Sequence, residues 1–256
     1  MENTTQTSQP KMNKAQWLTP ISILIAGALI AVGLYYDKPN MNKDGSALVN
    51  KALEQQEKIE VAPISSVDHI RGDKDADVVF VEYSDIECPF CQLYQVTMEQ
   101  VYKTYGKDKK FAWVYRHFPL SYGKDPLHKN AAKAAEATEC VNELAGKDAF
   151  WTYLDAVYAS IDHNKEGLVL SKLTDIAVKQ GVDKAKFQAC LDSGKYADKI
   201  KEAYDAGTKA GARGTPYTVI LYKDQQIPLV SSDGKSLGAL PYEVVSPIID
   251  ELLSKK

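Results

Sequence analysis

Cys88-Pro89-Phe90-Cys91 sets two thiols three residues apart. That spacing suits a redox-active dithiol, half of a zinc site or a structural disulfide, so the surroundings must decide. Val78-Val79-Phe80-Val81 lies just upstream, a continuous apolar run of the kind that forms a strand buried on both faces. A helical pattern follows through Tyr105, and Gly106 suits its end. The cysteines therefore fall where a buried strand stops and a helix starts. With Cys88 as N-cap and Pro89 as the first helical residue, the missing proline N–H leaves no bond unmade. The Cys88 sulfur then meets the free N–H groups of the first turn, whose dipoles favour a thiolate. Cys91, one turn later, faces inward. Such a pair couples an exposed attacking thiolate to a shielded resolving thiol. A zinc site would need two further ligands. There is no second CxxC, and none of His69, His117, His128 and His163 lies at ligand spacing from another. The reading is no metal and no dissociable cofactor, the redox group being the Cys88–Cys91 pair itself. A purely structural disulfide is the plainer alternative.

The elements around the pair form a βαβ unit. Phe111 to Phe118 reads as a second strand, and strand–helix–strand at this spacing implies a parallel pair with a crossover. From Pro126 to Gly211 the chain is rich in Ala, Lys and Glu, with helical periodicity and no strand signal. Breaks are expected at Asp162-His163-Asn164 and Gly181-Val182-Asp183. Tyr217 to Tyr222 reads as a strand, Ile227 to Val230 as another before an Asp233-Gly234 turn, and Pro241 to Leu253 as a closing helix. The class is α/β: βαβ, a helical insert, then ββα. Hydrophobic residues make up 45% of the 256, enough for a core and against disorder throughout. The net charge of −3 argues against nucleic acid as a partner.

Trp17 to Tyr36 (WLTPISILIAGALIAVGLYY) carries no charge and matches the hydrocarbon core in length as a helix. Trp17, Tyr35 and Tyr36 stand as interfacial anchors, and Lys11 and Lys14 precede the span. The expectation is a cytoplasmic polar tail over 1–16, a single transmembrane anchor over 17–36, a stalk over 37–63, and a folded domain over 64–254 outside the cell membrane. Ser46 to Lys58 is expected to form a short stalk helix. A cleaved signal peptide is the alternative, disfavoured because the apolar run exceeds a usual h-region. Either way the large part is exported, where disulfides are permitted.

Val79–Cys91 (VFVEYSDIECPFC), Tyr115–Leu120 (YRHFPL), His128–Cys140 (HKNAAKAAEATEC) with Phe150-Trp151, Phe187–Ile200 (FQACLDSGKYADKI) and Gly214–Tyr222 (GTPYTVILY) together resemble the DsbA-like thiol–disulfide oxidoreductases of the thioredoxin superfamily. The resemblance spans about residues 64–254 and implies a thioredoxin fold with an inserted helical domain, over about 124–211. It implies Cys88 as nucleophile and Cys91 as resolving thiol. Pro216 would be the cis-proline, so that Thr215 can pair with an extended substrate beside Pro89 and Phe90. Glu82 would be a buried acid relaying the Cys91 proton, or, on the strand's other face, a solvated side chain. Cys140 and Cys190 would form a structural disulfide, or stay as two buried thiols. Glu87, next to Cys88, should raise that thiol's pKa. His128 and Arg116 read as structural, His128 beside the first insert helix. The implied activity is oxidation of cysteine pairs in reduced exported proteins, with a quinone-linked membrane partner restoring the disulfide. A reductase or isomerase using the same site is the alternative, and a non-catalytic membrane-anchored adaptor is the alternative of another class.

Overall fold

The computed structural model describes residues 59–123, 127–165, 167–231 and 234–255. The expected polar tail, membrane span and stalk helix lie outside these residues, as do 124–126 in the insert and Asp233 of the expected turn. Among the described residues, no helix is long and apolar enough to cross a membrane.

Strand β2 (Val78–Ser84) occupies the centre of a five-stranded sheet of order β1 (His69–Arg71), β3 (Phe111–His117), β2, β4 (Tyr217–Tyr222), β5 (Gln225–Pro228). It runs parallel to β3 (Phe111–His117), in register from Val78 opposite Phe111 to Ser84 opposite His117. It runs antiparallel to β4 (Tyr217–Tyr222). Helix α1 (Pro89–Tyr105) makes the crossover from β2 to β3. Gly106 caps α1 without a left-handed backbone, its N–H donating to the Tyr102 carbonyl at 2.8 Å, and a Cβ there would sit 2.4 Å from the Tyr102 ring.

All residues of β2 and β3 are buried. Successive side chains alternate between two cores, as the pleat demands. Val78 and Phe80 join Trp113, Met98 and Ile248 on one face. Val79, Val81 and Tyr83 join Val114, Phe118 and Tyr217 on the other. The parity places Glu82 on the same face as Phe80, beneath α1.

β1 (His69–Arg71) pairs with β3 and was not anticipated, since three residues are too few to show a period. β5 covers Gln225–Pro228 rather than the expected Ile227–Val230. Tyr222 pairs directly with Gln225 across Lys223-Asp224, so the strand starts as soon as the turn closes. Pro228 brings no N–H to the ladder, although the Leu229 N–H still donates to the Thr218 carbonyl at 2.9 Å.

The insert contributes α2 (Ala131–Ala145), α3 (Lys147–Ser160), α4 (Leu170–Lys179), α5 (Lys184–Ser193) and α6 (Ala197–Lys209). The expected breaks fall between α3 and α4 and between α4 and α5. Asp183 caps α5, its Oδ1 accepting the Lys186 N–H at 2.8 Å. Cys140 of α2 and Cys190 of α5 are disulfide-bonded, with Cα atoms 5.9 Å apart and a sequence separation of 50. Helix α7 (Tyr242–Ser254) closes the chain against α1.

Candidate functional site

Cys88 is the N-cap of α1, extended at φ −79° and ψ 125°, with Pro89 in the first turn. Its N–H donates to the Asp85 carbonyl at 3.1 Å. The Cys88 Sγ reaches the Thr215 carbonyl at 3.5 Å, and the Thr215–Pro216 peptide bond is cis. Thr215 and Pro216 lie 127 residues or more from Cys88 in sequence; the antiparallel pairing of β4 with β2 brings them beside it. Cys88 and Cys91 are both thiols. The expected exposed sulfur is not found: Cys88 is only 4% exposed, and Cys91 is fully buried. Phe90 is the exposed member of the motif at 61%, and Leu93 and Val96 continue an apolar stripe along α1.

The two thiols differ sharply in acidity. Hydrogen bonding from Cys91 is the largest influence holding the Cys88 thiol down to about 6, against the upward push of burial. Thr215 and the main-chain N–H groups of Phe90 and Cys91 add to the lowering. Burial pushes Cys91 well above the ordinary thiol range, and Cys88 and Glu82 push it further. The Asp85 N–H, 3.4 Å from the Cys91 sulfur, works the other way.

Glu82 is fully buried beneath α1, not solvated. Burial raises its carboxyl to about 7, although the Trp113 indole N–H donates to Oε2 at 2.9 Å. The Ser84 side chain works in the same direction as Trp113, and burial outweighs both. Tyr94, Tyr115 and Tyr158 are buried around the same spot and feel its charge.

Glu87 turns away from Cys88. Its Oε2 accepts the Asn130 N–H at 2.9 Å, at the start of α2. The expected carboxylate against the Cys88 sulfur is thus spent on the insert. Arg116 is structural as expected, forking onto Asp68 at 2.8 and 3.1 Å and donating to the Tyr83 hydroxyl at 3.2 Å.

Asp85 was missed. Its fully buried carboxylate accepts N–H groups from Glu87 and Leu120, both at 2.7 Å, and approaches His128 Nδ1 at 3.1 Å. The Asp85-to-Glu87 bond is an Asx turn, which an Asp three residues before the first cysteine could have signalled.

His69 and His117 also come together, although they lie far apart in sequence. One nitrogen of each and a Glu139 oxygen lie within 4.8 Å of one another. This cluster already holds a cation: Lys199 Nζ lies 2.7 Å from Glu139 Oε2, and His69 Nε2 lies 2.9 Å from Oε1. Phe150 stacks on the His69 ring at 3.5 Å. Burial holds His117 neutral, down to about 3. The arrangement reads as a buried charge network joining β1, β3, α2 and α6.

A central β2, a cysteine pair opening α1, a cis-proline facing it and a helical insert are now all in place. A thioredoxin family model matches residues 65–235. The chain belongs to the thioredoxin family. Its fold is DsbA-like, similar to α-DsbA1 of Wolbachia pipientis (24% identity, TM-score 0.59, covering 75% of this chain and 94% of that one). DsbA2 of Pseudomonas aeruginosa is similar at 24% identity and a TM-score of 0.57, over 75% and 98% of the two chains. Oxidised BdbD of Bacillus subtilis is similar at 19% identity and a TM-score of 0.60, over 78% and 100%. Among curated proteins, a Na(+)/H(+) antiporter NhaA of Herminiimonas arsenicoxydans is 31% identical over 150 residues, 59% of this chain. The match covers 22% of that antiporter, so the chain spans about a fifth of the length of the curated relatives it matches.

Proposed function

We propose that this thioredoxin-family protein is an extracytoplasmic thiol–disulfide oxidoreductase that oxidises cysteine pairs in exported proteins. The observation that carries the reading is the unequal pair: Cys88 held down to about 6 at the start of α1, and Cys91 pushed up beneath it. A low-pKa thiol is a good leaving group, which favours passing the disulfide on.

A substrate thiolate attacks Cys88 Sγ of the enzyme disulfide, and the Cys88–Cys91 bond breaks. Cys91 leaves as a thiolate and takes up a proton, for which protonated Glu82 is the buried donor. A second substrate thiolate then attacks its neighbour's sulfur in the mixed disulfide. Cys88 leaves as a thiolate. The substrate gains a disulfide, and the enzyme keeps two electrons as a dithiol. The Thr215 main chain would pair with the extended substrate, and Phe90 and Leu93 would offer it apolar contact. A membrane quinone-linked partner would restore the disulfide. The Trp17–Tyr36 segment would hold the domain at the membrane, with the N-terminus in the cytoplasm.

The reduction potential of Cys88–Cys91 tests the direction. A value near about −120 mV is expected; one near about −270 mV would make the protein a reductant. Cys91→Ser should trap mixed disulfides with exported proteins through Cys88. Full activity of Cys88→Ser in oxidative folding would sink the enzymatic reading and favour an adaptor.

A further inference from the structure

The loop carrying the cysteine pair is acidic. Asp85 lies three residues before Cys88, Glu82 lies beneath it, and Pro89 and Phe90 bring no charge. Such neighbours oppose a thiolate. The cation set against this loop comes from the insert. His128 adopts φ +51°, a left-handed backbone that non-glycine residues seldom take, in the loop leading into α2. Its carbonyl accepts the Ala131 N–H at 3.0 Å, and its Nδ1 meets Asp85 Oδ2 at 3.1 Å. The Asp85 carboxylate only accepts, so Nδ1 carries the proton. Two residues on, the Asn130 N–H donates to Glu87. The two contacts clamp the insert's entry loop to the cysteine loop.

We propose that His128, fixed as a donor to Asp85, adds a positive charge that supports the Cys88 thiolate alongside the Cys91 hydrogen bond, so that the helical insert tunes the reactivity of the CxxC pair. The proposal rests on the thiol–disulfide reading above and makes His128 a positioning residue for it. The groups facing His128 are Asp85, Glu87 and Cys88, and the adjacent Lys129 is exposed. Its pKa is raised chiefly by the hydrogen bond to Asp85, then by the charges of Asp85, Cys88 and Glu87, against partial burial. The coupling is mutual: a thiolate that stabilises imidazolium is stabilised by it to the same extent. As pH rises through the His128 titration, the thiolate loses this support.

The test is His128→Asn in the full-length protein. Asparagine tolerates the left-handed backbone and keeps an amide donor for Asp85, while removing the charge. The readout is the pH profile of Cys88 alkylation by iodoacetamide in the reduced protein, followed by mass spectrometry. The expected result is an upward shift of the Cys88 titration by about half to one unit, hence roughly three- to tenfold less thiolate below its midpoint. A profile superimposable on that of the wild type would overturn the proposal. Should the variant misfold, NMR titration of His128 in the unaltered protein decides. A higher His128 pKa with Cys88–Cys91 reduced than oxidised supports the proposal; equal values overturn it. A wild-type Cys88 that titrates as an ordinary thiol and does not exchange with dithiol peptides would remove the functional reading as well. A low Cys88 titration indifferent to His128 would remove this inference alone.

Discussion

Glu82→Gln gives the sharpest test of the electrostatics under α1. In the folded protein burial raises the Glu82 carboxyl to about 7, against the usual 4.5. The difference, about 2.5 units at about 1.36 kcal/mol each, is about 3 kcal/mol. Below pH 4.5 the group is protonated in both folded and unfolded chains, and no penalty arises. Between the two values the unfolded chain ionises while the folded one keeps its proton, so folding stability falls as pH rises. Above about 7 the whole penalty is present. Glutamine keeps an acceptor for the Trp113 N–H and does not titrate. Urea unfolding of both proteins across this window, with Cys88–Cys91 oxidised so that no active-site thiol ionises, isolates the effect. The variant should gain about 3 kcal/mol on the wild type from the acid end to the neutral end. Any constant offset from the glutamine amide cancels in that slope. A stability gap that stays flat, or moves the other way, would refute a buried carboxyl of raised pKa, and with it the proton-relay role.

Glu139 should show the opposite sign. Burial pushes its carboxyl up, but His69, chiefly through its hydrogen bond, and Lys199 prevail and hold it down to about 2. It therefore contributes stability above pH 4.5 that is lost as pH falls towards 2. Glu139→Gln should cost about 3 kcal/mol at neutral pH and progressively less in acid, read by urea unfolding at each pH. Replacing Cys140 and Cys190 together by Ala reopens a loop of 50 residues. The expected loss is about 4 kcal/mol by the chain-entropy argument, with the Cys88 alkylation profile unchanged. Gly207→Ala would set a Cβ 2.5 Å from the Phe118 ring and 2.8 Å from the Tyr83 ring. Thermal unfolding should show a loss of about 1–3 kcal/mol as α6 is pushed off the sheet.

The local layout was legible in the chain because it rests on local periodicity. A continuous apolar run can bury both faces only in a central strand, and β2 and β3 do so. Cys88 before Pro89 is a helix start by backbone chemistry alone, and α1 starts there. Shorter elements gave less: β1 is too brief to show a period, and β5 began where a two-residue turn placed it.

What only the tertiary structure decided is which distant groups meet. Sheet parity and the packing of α1 turned Glu82 inward. The long route through the insert brought Thr215 and Pro216 to the Cys88 sulfur. The same folding drew Glu87 off to Asn130, seated His128 on Asp85, and gathered His69, His117 and Glu139 into one buried network. Residue type and spacing along a chain report what a segment can form with its neighbours. The acidity of a thiol or carboxyl depends on burial and on charges a few ångströms away, and those arrive from segments that sequence separation does not constrain.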